Sequence, residues 1–411
     1  MAFEALKGWS STQKHVVAAS YLGWTLDAFD FLLITYVAKD IAAEFKTDAK
    51  ALGFIITATL VMRPLGAFIF GRLADRFGRR PILMLDVGLY SAIAFASAFA
   101  PNLYVFLALR CLFGIAMGGE WGIGASLTME HVRPESRGFV SGLLQTGYPT
   151  GGLIAGVVTA LLLPHFEPEI GWRVCVMTSV LPALLVLYIR RNVPESPTFA
   201  QSRAPKDNTF AVLRSHWGIA LFAILLMTGF NTLSHGSQDF YPNFLRIQIG
   251  LSPALAGTIA AVGSFGAILG GLTFGSLSQR IGRRRAIAIS ATLVLPMIYF
   301  WVFFSANPIV LAAMAFVLQF FVQGAWGVVP AHLNELSPHD ARATFPGFVY
   351  QLGNLFAAGI VTVQGVLIED SHWTYAEALA LMTGAAALLI ALLVNLGPEA
   401  READMAAARK L

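Results

Sequence analysis

Of the 411 residues, 56% are hydrophobic and only 13% charged, with a formal net charge of +4. A soluble globular domain carries roughly 25% charged residues, so this composition excludes one and points to a lipid bilayer as solvent. The small positive surplus follows the membrane topology, and no nucleic-acid role is implied.

Twelve apolar stretches approach or exceed the roughly 20 residues that cross a bilayer as a helix. They lie near 15–37, 51–71, 82–100, 103–128, 138–163, 172–190, 217–240, 254–276, 286–305, 308–330, 344–367 and 373–396. The first fifteen residues are polar and lead into a span that contains Asp27 and Asp30, three apart and so roughly on one face. A removable signal peptide has a shorter, uncharged apolar region. The second span has Arg63 at its middle, and the fourth has Arg110 about a third of the way in. Glu120 lies toward the cytoplasmic end of the fourth span, and its position assigns it no role. Cys111 and Cys175 both fall within spans, so no disulfide, metal cluster or cofactor is expected.

The seventh span is the most informative. Trp217 to Phe230 is almost wholly apolar, and then come Asn231, Ser234, His235, Gln238 and Asp239. Asn231, His235 and Asp239 recur at i, i+4 and i+8, a polar stripe on an otherwise apolar cylinder. An ionisable residue inside a span costs roughly 2.5–3.5 kcal/mol on insertion scales. The stripe is therefore expected to line a water-filled cavity; polar seams between membrane helices are the competing use of such residues. His235 suits either a proton relay or a neutral donor to a carboxylate. In the eleventh span Gln351 and Asn354 stand at i and i+3, and the fifth holds Gln145 and Tyr148. Phe31, Trp326 and Tyr350 are further aromatics that form either cavity wall or ordinary packing.

With the N-terminus inside, the cytoplasmic connections hold 21 of the 28 Lys and Arg residues, and the opposite side holds Lys39, Lys46, Lys50, Arg173 and Arg246. That asymmetry orients both termini to the cytoplasm, and the lack of an Asn-x-Ser/Thr sequon fits a bacterial inner membrane. The histidines at 15, 165, 216, 332, 339 and 372 fall near span ends and are expected at the interface.

The chain also repeats itself. Gly71-Arg-Leu-Ala-Asp75-Arg-Phe-Gly78-Arg79-Arg80 after the second span returns as Gly275-Ser-Leu-Ser-Gln279-Arg-Ile-Gly282-Arg283-Arg284 after the eighth. Glu130 and Arg137 match Glu335 and Arg342, and Gln145-Thr-Gly147 matches Gln351-Leu-Gly353. The expected architecture is all-α, with twelve transmembrane helices in two pseudo-symmetric six-helix bundles, residues 1–190 and 217–411, joined by a cytoplasmic linker at 191–216. Transporters are commonly built from such repeats around a midplane site.

The Gly71–Arg80 loop resembles the cytoplasmic motif of the major facilitator superfamily, and Arg110-x-x-x-Gly114-x-x-x-Gly118 resembles its fourth-helix motif. The seventh-span motif Asn231–Asp239 is similar to that of the Jen-type lactate/pyruvate–proton symporters, with a related version in sialic acid–proton symporters. Asn243 departs from the Jen-type pattern, which usually carries threonine there. The resemblance implies the major facilitator fold and proton-coupled symport of a small organic anion, most simply a monocarboxylate such as lactate or pyruvate. It implies no enzyme activity, and one chain suffices as a monomer in the bilayer. Sialic acid or another larger organic acid is the alternative, and a transporter-like solute sensor is the rival from a different class. No Gly-x-x-x-x-Gly-Lys-Ser/Thr phosphate loop occurs.

Roles follow from that resemblance. Asp27 or Asp30 with Arg110 forms the proton-coupling group, together with His235 and Asp239. Arg63 is then the anion clamp, with Arg110 able to take its place. Asn231, His235, Gln351, Asn354, Tyr148 and Gln145 contact the substrate. Asp75, Arg79, Glu130 and Arg137 form a cytoplasmic gate that holds the outward-open state, weaker in the second half where Gln279 replaces the acid.

Overall fold

The computed structural model describes residues 8–47, 49–201, 209–369 and 373–401, and among these no strand occurs. Among the described residues, twelve helices are long and apolar enough to span a membrane: α1 (Ser11–Tyr36), α2 (Leu52–Phe77), α3 (Arg79–Ser97), α4 (Leu103–His131), α5 (Pro134–His165), α6 (Glu169–Asn192), α7 (Trp217–Gln248), α8 (Pro253–Ile281), α9 (Arg283–Val302), α10 (Pro308–Leu336), α11 (Thr344–Glu369) and α12 (Tyr375–Leu396). An even number of crossings puts both chain ends on one face, called here the terminal side. Several helices outrun their apolar stretches on that side. α2 continues to Phe77 through Arg72, Asp75 and Arg76, because the helix passes from hydrocarbon into the polar layer without unwinding. In the linker, Pro197–Gln201 and Thr209–Ser215 are helical, whereas residues 202–208 and His372 lie outside the described residues.

Local signals fix where the helices begin and bend. Ser10, Asn102, Ser252, Asn307 and Thr374 cap α1, α4, α8, α10 and α12, each side chain accepting a backbone N–H of the first turn. Gly78 and Gly282, at φ 105° and 99°, turn α2 into α3 and α8 into α9 in a conformation that strains any residue with a Cβ. Proline interrupts four helices. Pro149, Pro182, Pro242 and Pro330 have no N–H to give, and their rings crowd the carbonyls of Gln145, Thr178, Gln238 and Trp326, four residues earlier. The regular helix stops at or beside each of those residues: α5 breaks after Gln145, α6 passes into a 3-10 turn at Thr178, α7 breaks after Gln238 and α10 after Trp326.

The halves repeat in three dimensions. In the first, α1 packs on α5, α2 on α4, α3 on α4 and on α6; in the second, α7 packs on α11, α8 on α10, α9 on α10 and on α12. The same equivalence relates the contacts between halves, α2 with α11 and α5 with α8. These contacts are backbone-close on the terminal side. A Cβ on Gly122 would stand 2.7 Å from Gly347 Cα, and one on Gly275 would stand 2.7 Å from the Gly138 carbonyl oxygen. Ser141, fully buried, accepts the Ala331 N–H across the same seam at 3.0 Å.

Gly122→Val therefore wedges the terminal side, at a cost of about 1–3 kcal/mol to the apposed arrangement. A cysteine at Ser141 reports it, reacting faster with a water-soluble maleimide in the Gly122→Val background. Equal labelling rates with and without the valine would refute this close approach.

Candidate functional site

Between the halves lies an aromatic floor. Trp24 of α1 sits 5.6 Å from Tyr148 of α5 and 6.5 Å from Tyr350 of α11 between ring centroids. Trp121 of α4 and Trp326 of α10 approach Tyr350 at 4.7 and 5.7 Å. Trp121, Trp326 and Tyr350 are buried and Tyr148 is half-buried, so these rings pack against one another.

Beyond the floor, the polar stripe of α7 divides. Ser234 accepts the Trp326 indole N–H at 2.7 Å, and Gln238 donates to Gln319 of α10 at 3.0 Å, so these two form a seam. The Asn231 amide donates to its own helix at the Met227 carbonyl, 2.8 Å away. His235 and Asp239 behave differently. Nδ1 of His235 lies 2.9 Å from Asp239 Oδ2, and the two side chains are 32% and 36% exposed, against 4% for Asn231. Exposure thus rises away from the terminal side, as on the wall of a cavity open to the opposite face. Asn354 of α11 is within hydrogen-bonding reach of His235. The amide of Gln351 is buried with neither its oxygen nor its nitrogen hydrogen-bonded. Its repeat mate Gln145 instead accepts the Trp121 indole N–H at 3.1 Å, a packing role.

The buried charges of the first half pair in a way that sequence did not fix. Arg63 of α2 faces Asp27 at 3.9 Å, with its Nε 3.2 Å from Met117 Sδ and its guanidinium 5.1 Å from the Phe31 ring centroid. Arg63 is therefore not an unpaired clamp, and Asp27 is not the partner of Arg110. Arg110 acts electrostatically on Asp30, donates to Ser97 Oγ at 2.9 Å and lies over the Phe113 ring at 4.4 Å. It also walls a cleft with Phe31, Ile34, Ile55, Ile56 and Thr59. Arg63 is also the cation close enough to act electrostatically on Tyr148, Tyr350 and His235.

The four residues expected at the gate all lie on the terminal side, with Asp75, Arg79 and Glu130 in contact and Arg137 turned to the second half. Asp75 of α2 caps α11 of the other half, accepting the N–H groups of Ala343 and Thr344 at 3.0 Å each and the Thr344 hydroxyl at 2.7 Å. Arg79 joins Asp75 at 3.3 Å and Glu130 at 3.1 Å. Arg137 reaches Glu335 of the second half at 4.0 Å. Glu195, which the sequence reading missed, accepts the Arg79 N–H at 2.9 Å, and Ser196 hydrogen-bonds Glu130. Across the repeat, Gln279 accepts the Gly138 N–H of the first half at 3.2 Å and the Arg283 guanidinium at 2.9 Å, while Arg283 grips Glu335 with two 2.9 Å bonds. Glu399 mirrors Glu195, accepting the Arg284 N–H at 3.0 Å. Burial pushes its carboxyl up, but the backbone N–H groups and the nearby His332 outweigh that and hold it below the usual range. His332, expected at the interface, is buried, whereas His15 half-buries against the Tyr188 hydroxyl at 2.7 Å.

A sequence model of the Major Facilitator Superfamily matches residues 16–240 and 239–410, one match to each half. The chain belongs to the major facilitator superfamily. This transporter is 30% identical over 370 residues to a probable 4-methylmuconolactone transporter of Cupriavidus pinatubonensis, covering 89% of this chain and 86% of that one. It is 28% identical to a carboxylic acid transporter protein homolog of Saccharomyces cerevisiae, covering 94% of this chain and 68% of the yeast protein. Among solved structures, the proton:xylose symporter XylE superposes with a TM-score of 0.78 at 18% identity, covering 96% of this chain and 97% of that chain, a likeness of fold. The transporter is a multi-pass membrane protein and not an enzyme.

Proposed function

We propose that this transporter carries a small organic monocarboxylate together with a proton. The observation that carries the reading is the loose Asp27–Arg63 pair beside a cavity that also holds His235, Asn354 and the unsatisfied amide of Gln351. A proton on Asp27 frees the Arg63 guanidinium, whose planar fork matches a carboxylate. The solute anion then takes the place of the aspartate charge, and the site never holds an unpaired cation. Arg110 with Asp30, and His235 with Asp239, are secondary proton-holding pairs. The halves 1–190 and 217–411 rock about this site, with Asp75, Arg79, Glu130 and Arg137 as the gate. The terminal side is the cytoplasmic side of a bacterial inner membrane, and the monomer is the working unit.

Lactate or pyruvate fits the seventh-helix motif. The aromatic floor supports a second reading, an unsaturated or ring-bearing acid, since planar faces stack on Trp and Tyr. The relative named for a muconolactone supports the same reading. Uptake of labelled lactate and labelled 4-hydroxybenzoate into proteoliposomes, with and without an inward proton gradient, separates them. Gradient-driven accumulation of one acid is the expected result. Equilibration without accumulation would sink proton coupling and leave a facilitator; binding with no flux would leave a sensor.

A further inference from the structure

The interior of the first half holds more acid than this mechanism uses. Glu120 of α4 and Asp86 of α3 are fully buried, and none of their four carboxyl oxygens has a hydrogen-bond partner in the protein. Glycines make room for them. Glu120 Oε1 lies in the space that side chains at Gly23 and Gly124 would occupy, 3.3 Å from a Cβ built at Gly124, and Asp86 Oδ1 lies 3.2 Å from one built at Gly119. The Tyr90 hydroxyl, also buried and without a partner, faces the same carboxyls, and the unpartnered Ser20 hydroxyl flanks Gly124 beside Glu120. Asp27 of α1 is the charge nearest both carboxyls and is itself paired with Arg63 of α2, while Asp30 of α1, beside Arg110 of α4, closes the group around Tyr90 of α3. Two guanidiniums thus stand against four carboxyls. An uncompensated charge in such a place is too costly to keep, so two of the four must carry protons.

The carboxyls also form a graded series. Counting the helical rise, Asp27, Glu120 and Asp86 lie roughly 24, 17 and 11 Å from the terminal-side ends of α1, α4 and α3. Glu120 faces the interior of its bundle, while its neighbours Trp121 and Gly122 face the other half. We propose that Glu120 and Asp86 bind the transported proton behind Asp27 and conduct it through the first bundle to the terminal side, apart from the path of the solute. This rests on the symport reading. When solute leaves, the freed Arg63 draws Asp27 back to its charged form. Asp86 gives its proton to water on the terminal side, Glu120 gives its own to Asp86, and the Asp27 proton refills Glu120. Glu120 and Asp86 end protonated as they began, Asp27 ends ionised beside Arg63, and one proton has left on the terminal side.

Two measurements on the full chain test this. In proteoliposomes loaded with the accumulated acid of the lactate and 4-hydroxybenzoate pair, Glu120→Gln should lower gradient-driven accumulation at least about ten-fold. Counterflow exchange of the same acid, which needs no net proton release, should persist, and Glu120→Asp should recover part of the accumulation. Infrared difference spectra between neutral and alkaline pH should show protonated-carboxyl bands, one lost in Glu120→Gln and another in Asp86→Asn. Wild-type accumulation in Glu120→Gln, or exchange and accumulation lost together in folded protein, overturns the conduction path. Unchanged infrared bands overturn the buried protons. If wild-type protein accumulates neither acid, the symport reading fails by itself, and the infrared bands still decide whether Glu120 and Asp86 are protonated.

Discussion

Asp27→Asn and Arg63→Ala should separate the two halves of the transport cycle. In the asparagine variant Arg63 is permanently released, so the solute carboxylate binds at least as tightly and counterflow exchange persists. Gradient-driven accumulation should disappear, because the amide cannot take up a proton as solute binds Arg63 and release it as solute leaves. Arg63→Ala removes both activities. It takes away the anchor of the anion, worth about 1.5–3 kcal/mol for a charge-assisted bond. It also strands Asp27, and breaking a buried pair by removing one partner costs about 3–5 kcal/mol. Uptake should fall by at least about 100-fold, since each 1.4 kcal/mol is a factor of ten. Counterflow and accumulation assays on both variants decide the matter. Arg63→Ala protein that still accumulates acid at the wild-type rate would move the clamp to Arg110.

The second large effect is expected at the gate. Asp75 places a full negative charge at the N-terminus of α11, where three donors and the helix dipole converge, and the whole arrangement is buried. Asp75→Asn keeps the shape but loses the charge and turns one acceptor into a donor facing N–H groups. The apposed state should lose on the order of 2–4 kcal/mol relative to the state with the terminal side open. Its mate Gln279 is neutral and accepts the Gly138 N–H of the first half and the Arg283 guanidinium of its own half, so Gln279→Ala removes no charge from the seam between the halves and should cost that seam only about 0.5–1.5 kcal/mol. Spin labels at the exposed Phe77 and Asp340 measure the separation of the two halves. A long-distance population should dominate in Asp75→Asn and remain minor in Gln279→Ala. Equal distributions in the two variants would show that the charge is not what holds the gate.

The architecture was legible because lipid imposes it. Twelve apolar runs, basic connections on one side and a motif repeated 204 residues on leave few alternatives. The helix breaks were not: prolines mark those at Gln145, Gln238 and Trp326, but Pro64 and Pro296 sit inside continuous helices, so a proline alone does not say where a helix stops. Pairing across helices was not legible either. The spacing of Asp27 and Asp30 says that they share a face, but the rotation of α1 against α2 and α4 decides which arginine each meets. The five polar residues of α7 looked like one stripe, yet Ser234 and Gln238 turn to α10 while His235 and Asp239 turn to the cavity. Asp86 escaped notice because it follows Arg79 and Arg80 closely and reads as interfacial. The readable signal was the glycines at 119 and 124 flanking Glu120, small residues where a buried acid needs space.

The breaks leave this molecule with articulated helices. α7 consists of a long segment anchored near the terminal side and a short one beyond its proline break, Tyr241–Gln248, and α11 breaks likewise at Ala358–Gly359, there without a proline, before the short segment Ile360–Glu369. A short segment set off by a missing ladder bond can swing without dragging the rest of its rod. The far mouth can therefore shut by folding these fingers over the solute while the glycine-packed seam beneath stays locked. Enclosing the cargo and releasing it are then distinct mechanical events, and the cavity need never open to both faces at once.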